Sequence, residues 1–107
     1  PSASGYCASK AAAWSLTNAL RTELRGQGTL VTALHVGYMD TDMAAHVDGP
    51  KADPADVARQ VIAGLAAGAP EVLADETSRQ VKANLANDLA NLYPGIQAQY
   101  DATVAAA

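Results

Sequence analysis

The chain has 107 residues, half of them apolar, and a formal net charge of −4 with its seven Lys and Arg scattered, which argues against nucleic acid or an anionic membrane surface as a partner. Its single cysteine, Cys7, excludes an internal disulfide and a cysteine-only zinc site. The apolar runs fall well short of a membrane span and no charged-then-apolar leader is present, so a soluble cytoplasmic protein is expected. Alanine supplies much of the apolar content and Phe is absent, which implies a thin core with close helix packing.

The first predicted element is a helix that begins near Ser4 or Gly5 and runs to Arg25, with Ala13, Leu16 or Thr17, Leu20 and Leu24 at helical spacing. Ser2 or Ser4 stands where it can cap the start, and Gly26 and Gly28 stop the end. The slim run Ala11-Ala12-Ala13 permits close approach by another helix and equally suits an ordinary buried helix. Thr29 to Val36 reads as a short β-branched strand, apolar on both faces as in a covered parallel sheet. Tyr38 to Asp53 is a loop, with a turn at Gly49-Pro50.

A second helix opens with Asp53 as N-cap and Pro54 at the first helical position, and Asp56 adds negative charge to the first turn. Its apolar stripe is Val57, Val61, Ile62 and Leu65, and Gly68 with Pro70 ends it. Glu71 to Asp75 is a second strand. Thr77 to Leu92 is a third helix with Val81, Leu85, Leu89 and Leu92 on one face, broken by Tyr93-Pro94-Gly95. The tail from Ile96 reads as a weak, fraying helix. The alternation implies an α/β domain with parallel strands, one domain over residues 1–107. Two strands do not make an independently stable sheet, so further chain or a second copy is expected to complete it.

Within the first helix Tyr6 and Lys10 lie one turn apart on one face. A phenol is a poor acid at neutral pH. A neighbouring ammonium favours the phenolate and suits the group to proton transfer. The bare pair is common in helices, usually as a core Tyr with a solvated Lys. The fuller string Tyr6-Cys7-Ala8-Ser9-Lys10-Ala11-Ala12 is more specific, and it resembles the active-site segment of the short-chain dehydrogenase/reductase family. A second segment, His35-Val36-Gly37-Tyr38-Met39-Asp40-Thr41, resembles that family's Pro-Gly-x-x-x-Thr stretch after its sixth strand, with Val36 in place of proline. The resemblance extends from about Ser4 to Leu92.

The resemblance implies the C-terminal part of a Rossmann-like, doubly wound parallel sheet. It also implies hydride transfer between NAD or NADP and a small-molecule carbonyl or alcohol substrate. Tyr6 would be the acid/base. Lys10 would favour its phenolate and hydrogen-bond the nicotinamide ribose. Val36 and Met39 would meet the nicotinamide carboxamide, with Gly37 allowing close approach, Thr41 would hydrogen-bond the cofactor, and Tyr38 would lie in the loop over the substrate. In that family the tyrosine sits past the middle of a longer chain. This sequence therefore reads as a C-terminal half, missing an N-terminal half with the phosphate cradle and a catalytic serine, and inactive alone. A homo-oligomer is expected through the alanine-rich helix.

Other candidates are read as structural. His35 is a satisfied core or edge histidine. His46, Asp40, Asp42 and Asp48 match no metal pattern, so no metal is expected. Cys7 is small and buried, Trp14 is packing, and Asp75 with Arg79 can pair near a subunit interface. The alternative functions are a non-catalytic dimerisation module and a binder that uses the fold without redox chemistry.

Overall fold

The computed structural model describes residues 3–107, so a capping role for Ser2 lies outside the described residues. Helix α1 spans Ser4–Glu23. Ala3 occupies the N-cap position and no side chain caps the helix. Ser4, expected as a cap, is instead the first helical residue, where the backbone already has helical geometry. The helix stops at Leu24, whose N–H donates to Leu20 O at 2.9 Å. A single 3₁₀ turn, Arg25–Gln27, contains Gly26 and ends at Gly28, whose φ of 77° is the left-handed conformation that glycine adopts freely.

Strands β1 (Ala33–His35) and β2 (Glu71–Leu73) pair in parallel, with Ala33 opposite Glu71, Leu34 opposite Val72 and His35 opposite Leu73. The parallel expectation holds. Both strands are shorter than predicted, because a ladder extends only as far as both partners run side by side. Leu34 is 43% exposed, so the expected cover on both faces of β1 is absent among the described residues. Arg21 of α1 ties the entry to both strands: its Nε donates to Val31 O at 3.1 Å and its Nη2 to Pro70 O at 2.8 Å. Thr32 Oγ1 adds a bond to Ala69 O at 2.8 Å.

Helix α2 (Pro54–Ala66) begins as the sequence dictates. Asp53 Oδ1 accepts from Ala55 N–H at 3.1 Å, and Pro54 stands in the first turn, where its missing N–H costs nothing. Asp53→Ala is expected to lower stability by about 1 kcal/mol, read as a drop in the urea midpoint. Val57 is buried and Val61 half-buried, but Ile62 and Leu65 are exposed. Two short strands give α2 too little sheet to cover its whole predicted stripe. The core is Val57, Val72 and Ala74, flanked by Val36, Met39 and Ala52.

Alternate residues of a strand face opposite sides. Val72 and Ala74 meet α2 on one side, while Glu71 bonds Lys82 of α3 (Glu76–Asn84) on the other. Helices on both faces of a parallel pair make an α/β arrangement compatible with part of a Rossmann-like fold.

The predicted single helix from Thr77 to Leu92 is in three pieces: α3, a 3₁₀ turn at Leu85–Asn87, and α4 (Asp88–Asn91). Asn84 and Asn87 supply the break, both with non-helical backbone. Asparagine side chains compete for local hydrogen bonds. Asn84 bonds Gln80 O through Nδ2 at 2.8 Å, and its Oδ1 accepts from Asn91 Nδ2 at 2.9 Å. Tyr93-Pro94-Gly95, expected to end a helix, instead opens α5 (Tyr93–Ala105), because proline suits a helix's first turn. The expected weak tail helix is thus continuous to Ala105. Among the described residues no helix is long and apolar enough to cross a membrane.

Candidate active site

Helical spacing alone brings Tyr6 and Lys10 together. Lys10 Nζ lies 5.6 Å from the centroid of the Tyr6 ring, a cation–π contact on the ring face. Ser9, between them, folds its hydroxyl back to Tyr6 O at 2.8 Å, so it points along the helix. Among the described residues no carboxylate pairs with Lys10.

The pair opens onto a cleft of about 680 Å³ between α1, β1 and α3. Tyr6, Lys10 and Trp14 form its α1 wall, and Val36 and Gly37 form its floor where β1 ends. The other predicted site residues lie away from this cleft. Met39 bridges to Ala52 and packs against the Val57 core. Tyr38 exposes its ring, while its carbonyl accepts from Ala52 N–H at 2.8 Å. Thr41 is exposed and precedes a 3₁₀ turn, with its N–H on Met39 O at 2.9 Å. The reason is local: the bonds between Tyr38, Asp40 and Ala52 fold the loop back on itself.

Asp75 has other partners than the expected Arg79. Its Oδ1 accepts from Ser78 N–H at 2.8 Å, capping α3, and its Oδ2 accepts from Gly37 N–H at 2.7 Å. The anticipated Asp75–Arg79 ion pair is not formed. Arg79 turns to Glu76 Oε2 at 3.1 Å and to Leu73 O at 3.0 Å, because both lie on its own side of the helix start. Burial pushes the Asp75 carboxyl up, but hydrogen bonds from Ser78 and Gly37 and the charge of Arg79 outweigh it and hold the carboxyl below the ordinary aspartate value.

A carboxyl lowered in the folded state stabilises the fold above its unfolded value, near ~3.9, and loses that contribution as pH falls through its folded value. Urea midpoints taken from about pH 5 to about pH 2 are expected to fall more steeply in the wild type than in Asp75→Asn.

His35 sits in β1 as expected, but its Nε2 is buried with no hydrogen-bond partner among the described residues, correcting the expectation of a satisfied histidine. Glu71 Oε2 is 3.4 Å away and is already engaged by Lys82 Nζ at 3.1 Å. Lys82 also lies 5.5 Å from the Trp14 ring centroid, which makes Trp14 a bridge between α1 and α3. Cys7, expected to be buried, is exposed, because it faces away from the cleft on a helix with no buried residue. No group of three or more potential metal ligands occurs among the described residues. His46 and the nearby aspartates are exposed on the loop.

Asp75 was legible in part. An aspartate at a strand end three residues before Ser78 is a helix-start signature. Its bond to Gly37, 38 residues away, had no sequence signal.

Residues 1–51 match the family model described as short chain dehydrogenase, a segment that holds all seven predicted site residues: Tyr6, Lys10, Val36, Gly37, Tyr38, Met39 and Thr41. No curated protein and no solved structure matches the chain.

Proposed function

Because residues 1–51 match the short chain dehydrogenase family model, we propose that the chain forms the acid–base side of an oxidoreductase that uses NAD or NADP on a carbonyl or alcohol substrate. The observation that carries this reading is the Tyr6–Lys10 pair on one wall of a cleft whose floor is Val36 and Gly37. On this reading the α/β unit is the second part of a doubly wound sheet.

The residues present fit the nicotinamide-ribose end of such a cofactor. Lys10 offers an ammonium with no carboxylate partner among the described residues, and Tyr6, 64% exposed, offers its hydroxyl. Both groups suit ribose hydroxyls as donors. Val36 and Gly37 bring backbone to the same cleft. Met39 and Thr41 would reach a ligand only if the loop from Tyr38 opened. These 107 residues contain no glycine-rich strand-turn-helix to cradle the phosphates.

When bound, the nicotinamide supplies or takes up the hydride. Tyr6 gives its hydroxyl proton to the carbonyl oxygen during reduction, and takes the alcohol proton in the reverse direction. The Lys10 ammonium beside the ring keeps its donors free for the ribose hydroxyls.

Two measurements test the reading. The gene-encoded protein, given NADH or NADPH and a panel of aldehydes and ketones, is expected to consume reduced cofactor in step with alcohol formed. No consumption across the panel overturns the proposal. The 107-residue chain alone is expected to show no saturable NADH binding, because the phosphates have no cradle within it, and micromolar binding would contradict that. We also propose a homo-oligomer through α1, whose Ala8, Ala11 and Ala12 are exposed.

A further inference from the structure

Asp75 joins two elements with one carboxylate. Through Oδ1 it holds the start of α3 at Ser78, and through Oδ2 it holds Gly37, whose backbone lines the cleft beside Val36. The approach is close enough that a Cβ at position 37 would lie 2.9 Å from Oδ2, so any other residue there would have to push the carboxylate aside. Just before, Ala74 N–H donates to His35 O at 2.9 Å, which sets the two strand ends side by side.

Beyond Gly37 the segment is next tied at Tyr38 and Asp40, both bonded to Ala52. No proline fixes φ between His35 and Gly49, and Gly37 is the residue with the most backbone freedom. A hydrogen bond to an ionised acceptor is stronger and shorter than a neutral one.

We propose that Asp75 is the positioning residue of the nicotinamide end of the cleft, fixing the Val36–Gly37 backbone at the place from which it meets the cofactor. This rests on the oxidoreductase reading above. Asp75 touches neither substrate nor cofactor; it acts through Gly37. It leaves the Gly37 N–H internally satisfied, so the backbone presented to the ligand is carbonyl and chain path rather than that donor.

Two variants of the gene-encoded protein test this. Asp75→Asn keeps one carbonyl oxygen and turns an amide donor towards one of the two N–H groups. Asp75→Ser keeps a helix cap and is too short to reach Gly37. In each, KM for NADH or NADPH is expected to rise roughly tenfold, with a smaller fall in kcat. Hydrogen exchange at the Gly37 amide is expected to pass from slow to fast, while Ser78 stays protected in Asp75→Ser. Fast exchange at Gly37 in the wild type overturns the proposal, as does an unchanged KM in both variants once Gly37 exchanges freely. A wild type with no nicotinamide-dependent turnover overturns the oxidoreductase reading and this role with it. Slow exchange at Gly37 in that same protein would show that the failure lies in the chemistry and not in the Asp75–Gly37 bond.

Discussion

Tyr6→Phe is expected to lower turnover by roughly 10²–10⁴-fold, the usual contribution of a positioned acid or base, without changing the melting temperature. The substitution removes one oxygen and no carbon. The ring is 64% exposed and no residue of α1 is buried, so the fold loses no packing. The cation–π contact with Lys10 needs only the ring and survives the change. Turnover by the gene-encoded protein and its thermal melt, measured on the same preparation, separate the two alternatives. Lost turnover with an unchanged melt assigns proton transfer to the hydroxyl. Unchanged turnover would remove Tyr6 from the chemistry, whereas a wild type without turnover favours the non-catalytic interaction module.

Gly64→Ala is expected to destabilise the protein by up to about 2 kcal/mol, against the usual gain from replacing a helical glycine. Alanine in a helix interior is better than glycine by about 1 kcal/mol. Here, however, a Cβ would stand 2.5 Å from Cγ2 of Val72, a contact that must be relieved by movement. Val72 is β-branched and buried, so its side chain cannot swing aside. Overpacking of this kind costs about 1–3 kcal/mol, and α2 must lift from β2 to accommodate it. The Gly64→Ala, Val72→Ala double variant is expected to recover part of the loss relative to the two single changes added together. A Gly64→Ala protein more stable than wild type in urea would mean that α2 sits further from the sheet than this contact requires.

The parts of the site that could be read from sequence are those made within one helical turn. Tyr6 and Lys10 face the same way because four residues is close to one turn. The helix start at Asp53-Pro54 is written in two adjacent residues, and Asp75 announces α3 by the same rule. The stripe on α2 was legible as a pattern but not as burial: Val57 found a sheet to cover and Ile62 did not. The break of α3 was missed because the Val81–Leu85–Leu89 spacing continues through it, while Asn84 makes local hydrogen bonds and the backbone at Asn84 and Asn87 leaves the helical region.

By itself, then, the sequence determined the alternation of helices and strands, the starts of α2 and α3, and the Tyr6–Lys10 pair, because each depends on residues a few positions apart. Tertiary structure alone decided the three-residue length of the strands, the bond from Gly37 to Asp75, the contact of Lys82 with Trp14, and the turn of Met39 and Thr41 away from the cleft. Those features join segments far apart in the chain, and which of them meet is fixed by how the helices pack on two short strands, a quantity that no local spacing encodes.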